Sequence, residues 1–195
     1  MLHAHGVDLA HWERGSGFPL LFLHETATGA DVWHPLADAL GEGTWAISYD
    51  RRGWGGSATP QSYARTTIEE QSADAAALLE ALGVERALLC GSGLGAVAAL
   101  DLLLRRPDLV SAAVLIEPPL LAFVPEATAG LSADRLAIEE AIRGGGPEAA
   151  MDLYLAGGLP FLGAGAERIP PEASRAASER PRSLFAELGA VPSWL

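Results

Sequence analysis

The sequence predicts an α/β protein, a mostly parallel sheet flanked by helices, with a helical C-terminal stretch. Three observations predict it. Short apolar runs fall at residues 20–23, 45–49, 87–90 and 112–117, and they are continuous, as strands buried on both faces require. Helix-periodic segments separate these runs through short connections, a repetition that favours parallel pairing. After Pro118 and Pro119 the strand patterns stop.

The elements follow in chain order. Residues 2–13 alternate loosely around Gly6, which predicts a short antiparallel hairpin. The strand at 20–23 follows Pro19, and Asp31 is placed to cap a helix with apolar positions at Val32, Leu36 and Leu40. A second strand, 45–49, ends at Asp50, which is expected to hold the glycine-rich loop 51–57 together. Thr67 and Glu70 have capping-box spacing. Ala75, Leu78, Leu79 and Leu82 then recur on one face, and Gly83 can end that helix. Strand 87–90 leads into a helix over 94–105, and Pro107 marks the connection to strand 112–117. Beyond it a helix over 132–143 is predicted to start at Ser132 and stop before Gly144. Shorter helical patterns lie near 147–156 and 181–188.

Composition excludes several function classes. A chain of 195 residues, 49% hydrophobic and 19% charged, is a globular domain with a sizeable core. A net charge of −12 argues against nucleic acid or an anionic membrane as partner. No uncharged apolar stretch reaches the ~20 residues needed to span a bilayer. One cysteine rules out an internal disulfide and fits a reducing compartment, so the expected location is cytoplasmic. Cys90 itself reads as a buried apolar filler. The histidines lack metal-site spacing, so neither a metal nor a cofactor is expected.

The segment Gly91-Ser92-Gly93-Leu94-Gly95 joins strand to helix and is the most informative in the chain. In a G-x-S-x-G turn the middle residue is the nucleophile, lifted off the sheet on strained backbone. Here the middle position is Gly93, and Ser92 sits one place early. Centring the turn on Ser92 would put Leu94 where close strand–helix packing wants a small residue. The register centred on Gly93 has glycine on both sides and is preferred, which makes Ser92 a wall residue. The same segment also fits a dinucleotide fingerprint, Gly91-x-Gly93-x-x-Ala96, with Glu117 about twenty residues on as the ribose-binding acid. Against that alternative, two strand–helix units precede the turn.

Together with two other pieces, the turn resembles the nucleophile elbow of the α/β-hydrolase family. Leu23-His24, followed by Asp31-x-Trp33-x-Pro35-Leu36, is similar to the family's oxyanion-loop region. Tyr49-Asp50-Arg51-Arg52-Gly53-Trp54-Gly55-Gly56-Ser57 is similar to its D-x-R-G-x-G-x-S turn. The resemblance covers residues 18–120. It implies a core over 1–118 and a helical cap over 119–195 within a single domain, with a small, partly apolar molecule bound between cap and strand ends. His24, Glu25, Thr26, Gly93, Leu94 and Glu117 would form the oxyanion loop and pocket. Backbone N–H groups of the loop and of Leu94 would make the oxyanion hole.

Three departures oppose the family's usual chemistry. Gly93 stands at the nucleophile position, and Glu25 follows His24 where the family usually has glycine. All five histidines lie before residue 35, whereas the family's catalytic histidine follows the cap. The candidate catalytic groups are therefore Ser92 and Glu25. The family's last strands have no counterpart here, so the expectation is either a fragment or an exposed sheet edge covered by a second copy. Three functions stay open: a hydrolase-like enzyme without the ordinary Ser-His-Asp triad, a non-catalytic ligand-binding relative, and a dinucleotide binder.

Overall fold

The computed structural model describes residues 1–162, 169 and 171–194. Two short strands, β1 (Leu2–Ala4) and β2 (Val7–Leu9), pair antiparallel about His5 and Gly6. Five more form the main sheet: β3 (His11–Arg14), β4 (Phe18–Leu23), β5 (Thr44–Tyr49), β6 (Ala87–Ser92) and β7 (Val110–Ile116), in spatial order β3–β5–β4–β6–β7. β4 to β7 are mutually parallel, and β3 runs antiparallel to β5 along one edge. The sheet is therefore mixed. The hairpin expected over residues 2–13 closes at Leu9, and residues 11–14 leave it to extend the main sheet.

Alternation along the buried strands sorts side chains between two layers. Leu21, Leu23, Ile47 and Leu89 pack against helices α2 (Ile68–Ala81) and α3 (Leu94–Arg105) on one face. Leu20, Phe22, Ala46 and Cys90 pack on the other face with Ala37 of α1 (His34–Leu40). There the Phe22 and Trp33 rings stack with centroids 5.0 Å apart. Among the described residues β7 has β6 as its one strand neighbour, and its Val114 and Ile116 are exposed.

Helix ends agree with the sequence where the cap is local. Thr67 Oγ accepts from the Glu70 N–H at 3.1 Å, and Gly83 turns the chain out of α2 with φ 71°. The Glu70 carboxylate does not complete a capping box. It takes a hydrogen bond from Thr66 Oγ1 at 2.7 Å and pairs with Arg52. Asp31 caps nothing either: residues Ala30–Trp33 form a 3-10 turn without a side-chain cap, and α1 starts at His34 with Pro35 in its first turn.

Three helices follow β7: α4 (Ala127–Leu155), α5 (Pro171–Ser178) and α6 (Pro181–Leu188). The helix expected to begin at Ser132 begins a turn earlier. Ser132 sits inside α4, its hydroxyl donating to the Thr128 carbonyl at 2.9 Å. Nor does Gly144 end it. The break comes at Gly146, with φ 76°, and Pro147 restarts the helix. Ile138, Met151, Tyr154 and Leu184 from these helices form a second apolar cluster with Trp54 and Ala27 from the sheet side.

Candidate functional site

The carboxyl ends of β4 and β6 lie side by side, Leu23 opposite Gly91. The chain leaving β4 forms the loop that carries His24, Glu25 and Thr26. The chain leaving β6 turns sharply through Gly93 into α3. Parallel strands with helical crossovers place such turns at the strands' carboxyl edge, where ligands of open α/β sheets bind.

Gly93 carries the special backbone of this turn, with φ 52° and ψ −124°. Its N–H donates to the Ile116 carbonyl at 3.0 Å, tying the turn to β7. The flanking glycines are required by contact. A Cβ on Gly91 would stand 2.5 Å from the Gly95 carbonyl oxygen, and one on Gly95 would stand 2.5 Å from that of His24. A Cβ on Gly93 would meet a side chain first. It would lie 3.0 Å from Cγ and Cδ of Glu25. The Glu25 side chain thus stands over the apex of the turn, and Ser92 lies beside it.

His24 holds the loop from beneath. Its ring is completely buried, with Nε2 accepting the Arg51 N–H at 2.9 Å and Nδ1–H donating to the Glu25 carbonyl at 2.7 Å. Both ring nitrogens are engaged by backbone, which fixes the neutral tautomer. Burial first, and the positive charge of Arg51 second, hold its pKa well below 6.5, against a smaller upward pull from the Glu25 carbonyl. Thr28 Oγ1 donates to the same carbonyl at 2.8 Å. Asp50 braces the adjoining turns, accepting from the N–H groups of Ala30 at 2.8 Å and Gly56 at 2.7 Å.

A buried ion pair connects the loop to α6. Arg51 and Glu187 are both inaccessible and directly paired. Glu187 also accepts from Thr26 Oγ1 at 2.8 Å and from Trp54 Nε1 at 2.8 Å. Arg51 Nε donates to the His24 carbonyl at 2.9 Å. Burial penalises the guanidinium charge, and the Glu187 carboxylate more than offsets that penalty, so the Arg51 pKa lies above its usual value. Tyr154 of α4 stands against the same group. Burial, and then the charge of Glu25, push its pKa up, so its hydroxyl keeps its proton.

Between these groups and the helices lies a cavity of about 330 Å³. Glu25, Thr26, Ser92, Gly93, Leu94 and Glu117 all line it. The structure brings together six of the seven residues named from sequence, and the seventh, His24, supports the loop below. Glu117 adopts a left-handed conformation, φ 48°, at the end of β7. Glu187 and Tyr154 also line the cavity and were not legible in the sequence. Glu187 is 136 residues from Arg51. The only sequence signal for it was indirect: an arginine packed under a strand end needs a buried acid from somewhere. Burial also pushes the Cys90 thiol up. Among the described residues no group of three His, Cys, Asp or Glu could hold a metal ion, and no helix is long and apolar enough to cross a membrane.

Known proteins share this fold. Residues 19–137 match the family model described as alpha/beta hydrolase fold. The 2-(acetamidomethylene)succinate hydrolase of Mesorhizobium japonicum is 31% identical over 165 residues, covering 82% of this chain and 55% of that protein. An uncharacterized hydrolase of Bacillus subtilis is 34% identical over 120 residues, 62% of this chain and 44% of that protein. The chain spans about half the length of the curated relatives it matches. Among solved structures, the enol-lactonase from Burkholderia xenovorans superposes with a TM-score of 0.71 at 23% identity, covering 97% of this chain and 72% of that one. An epoxide hydrolase from Vigna radiata gives 0.61 at 29% identity, covering 69% and 42%. Sheet order, the glycine-flanked turn and a family match over more than half its length agree: the chain belongs to the α/β-hydrolase fold family.

Proposed function

We propose that this protein is a small-molecule hydrolase of that family. It would bind a partly apolar ester, lactone or amide in the cavity over the 91–95 turn, with Glu25 activating water as a general base and no serine nucleophile. One observation carries this reading: the Glu25 side chain fills the space into which a side chain at position 93 would project. The reacting group is thereby moved from the turn to the facing loop. The named hydrolase activity of the Mesorhizobium relative supports a carbonyl compound as substrate class.

The chemistry balances without a covalent intermediate. Glu25 takes a proton from water as its oxygen attacks the substrate carbonyl carbon. The oxyanion that forms faces the N–H of Leu94, whose place in the first turn of α3 leaves it without an intrahelical acceptor. A carboxylate beside an oxyanion would normally be unfavourable. Here the two charges do not coexist, because Glu25 is protonated in the step that creates the oxyanion. That proton then passes to the leaving oxygen or nitrogen as the carbon–heteroatom bond breaks. Helices α4 to α6 serve as the cap, and Tyr154 supplies a neutral hydroxyl at the cavity wall.

A second reading, ligand binding without turnover, is favoured by Gly93 itself, which presents no nucleophile. The dinucleotide alternative has less support, since a pyrophosphate approaching Gly93 would meet the Glu25 carboxylate.

The test is turnover of a panel of short esters, lactones and amides by wild type, Glu25→Gln and Ser92→Ala. Glu25→Gln is expected to lower kcat by about 100-fold or more with KM little changed. Ser92→Ala should leave both constants intact, and a fluorophosphonate probe should not label Ser92. Saturable binding with no hydrolysis by wild type would establish the binding reading instead. Hydrolysis that survives Glu25→Gln would exclude Glu25.

A further inference from the structure

A second cavity, of about 360 Å³, borders the continuation of the same loop. Its walls come from segments distant in sequence: β3, the loop 27–31, the turn at Trp54 and Gly55, and helix α5. Small side chains leave the space open, with Ala27 and Ala30 on the loop facing Ala173, Ala176 and Ala177 on α5. Trp12 and His34 form an aromatic wall, their rings tilted by 32° with centroids 4.3 Å apart. None of these residues takes part in the chemistry proposed for the first cavity.

Two features say what this cavity would hold. First, its polar groups are mainly acceptors. A Cβ on Gly29 would lie 3.0 Å from both Asp31 Oδ1 and Asp50 Oδ1, so two carboxylates converge over a glycine in the wall. Each Asp50 oxygen takes one backbone N–H, leaving a lone pair available on each. Second, two wall histidines carry buried ring nitrogens, His11 Nδ1 and His34 Nε2, without a hydrogen-bond partner among the described residues. His11 Nε2 lies 3.2 Å from Glu13 Oε1, and in the tautomer that carries its proton on Nε2 the unpaired Nδ1 is an acceptor. Buried polar groups left unpaired are exceptional in folded proteins, and each calls for an explanation.

We infer that this cavity is a second binding site, for a flat aromatic ligand bearing N–H donors: an aromatic amine or amidine. Its ring would lie along Trp12 and His34, where a delocalised cation gains from the indole face. Its N–H groups would answer Asp31, Asp50 and, after a small ring movement, His11 Nδ1. A cavity of this size accepts a one- or two-ring compound. The site stands on its own residues and does not depend on any reaction at Glu25.

Benzamidine and its neutral counterpart benzamide test this on the full chain, by calorimetric titration and saturation-transfer NMR. Benzamidine should bind saturably, and benzamide about tenfold more weakly because it lacks the charge that answers the carboxylates. Ala176→Trp, a change at an exposed position of α5, should fill the cavity and abolish binding. Asp31→Asn, also exposed, should weaken benzamidine by about fivefold and leave benzamide unchanged. Absence of saturable binding, equal affinity for the two compounds, or benzamidine binding unaffected by Ala176→Trp would each overturn the inference. Binding that survives Ala176→Trp and disappears in Leu188→Trp would place the ligand in the first cavity, which also overturns it.

Discussion

Leu89 and Glu187 are both closed to solvent, yet they hold the molecule together in different ways. Around Leu89, neighbouring strands and helices α2 and α3 bury one contiguous apolar layer. That packing is redundant, since many contacts share the stabilisation and losing one leaves the rest in place. Around Glu187, a single carboxylate collects Arg51, Trp54 and Thr26, and through them joins α6 to two loops of the sheet. Such a joint is not redundant. Removing the acid leaves a buried guanidinium with no countercharge, and attraction becomes a penalty. The sheet should thus yield gradually to damage, and the helices should come away as a unit.

The largest expected effect breaks the joint. Glu187→Ala should destabilise the protein by about 3–5 kcal/mol, because it strands Arg51 rather than merely deleting a contact. Hydrogen exchange should accelerate first in α6 and the loop 24–28, with β6 and α3 still protected. Equal loss of protection in both regions would erase the distinction. Combining Glu187→Leu with Arg51→Met should recover much of the loss, since a neutral pair leaves no buried charge.

Next comes the sheet. Leu89→Ala should cost about 2–5 kcal/mol, measured by chemical denaturation, with protection falling uniformly across strands and helices. Selective loss in α6 would mean that the two regions are not held separately.

A smaller effect, acting through one imidazole, sharpens the boundary between the regions. His24 is kept neutral, with its folded pKa well below 6.5. The unfolded chain therefore binds the proton first, so this contribution is fully present above pH 6.5 and is lost progressively as pH falls from there toward the lower folded pKa. The melting temperature should decline on acidification from neutrality, and the decline should flatten in His24→Asn. An unchanged slope in that variant would assign the acid sensitivity elsewhere. Smallest of all, Thr67→Ala should remove about 1 kcal/mol through the lost cap of α2, visible as faster exchange at the N–H of Glu70.

The same contrast decides how much could be read beforehand. Strands β4 to β7 and helices α2 and α3 were legible because their signals are local: apolar runs, a threonine cap, a glycine stop. The six cavity residues were legible for a related reason, as they sit at strand ends that those elements define. Caps judged by spacing alone were less dependable. Asp31 lies in a 3-10 turn, and Ser132 hydrogen-bonds within a helix already under way. Residues 11–14 have the look of a hairpin arm, but pairing with β5 decides their place. Among its described residues helix α5 buries only alanines, Ala173 and Ala177, which mark an apolar face weakly, and Glu187 is one acid among many until the fold brings Arg51 to it. Long-range polar contacts carry no sequence period, so the joint leaves no periodic trace in the sequence while the layers do.

Trp54 gives this molecule an internal optical reporter. Its indole N–H is bound to Glu187 of the first cavity, while its ring forms part of the wall of the second. Loss of that hydrogen bond would move its emission in one direction, and a stacked or nearby ligand would quench it. Replacing Trp33, Trp45 and Trp194 by phenylalanine would keep Trp12 in the wall of the second cavity and leave two fluorophores whose emission follows the occupancy of the two cavities in a single cuvette.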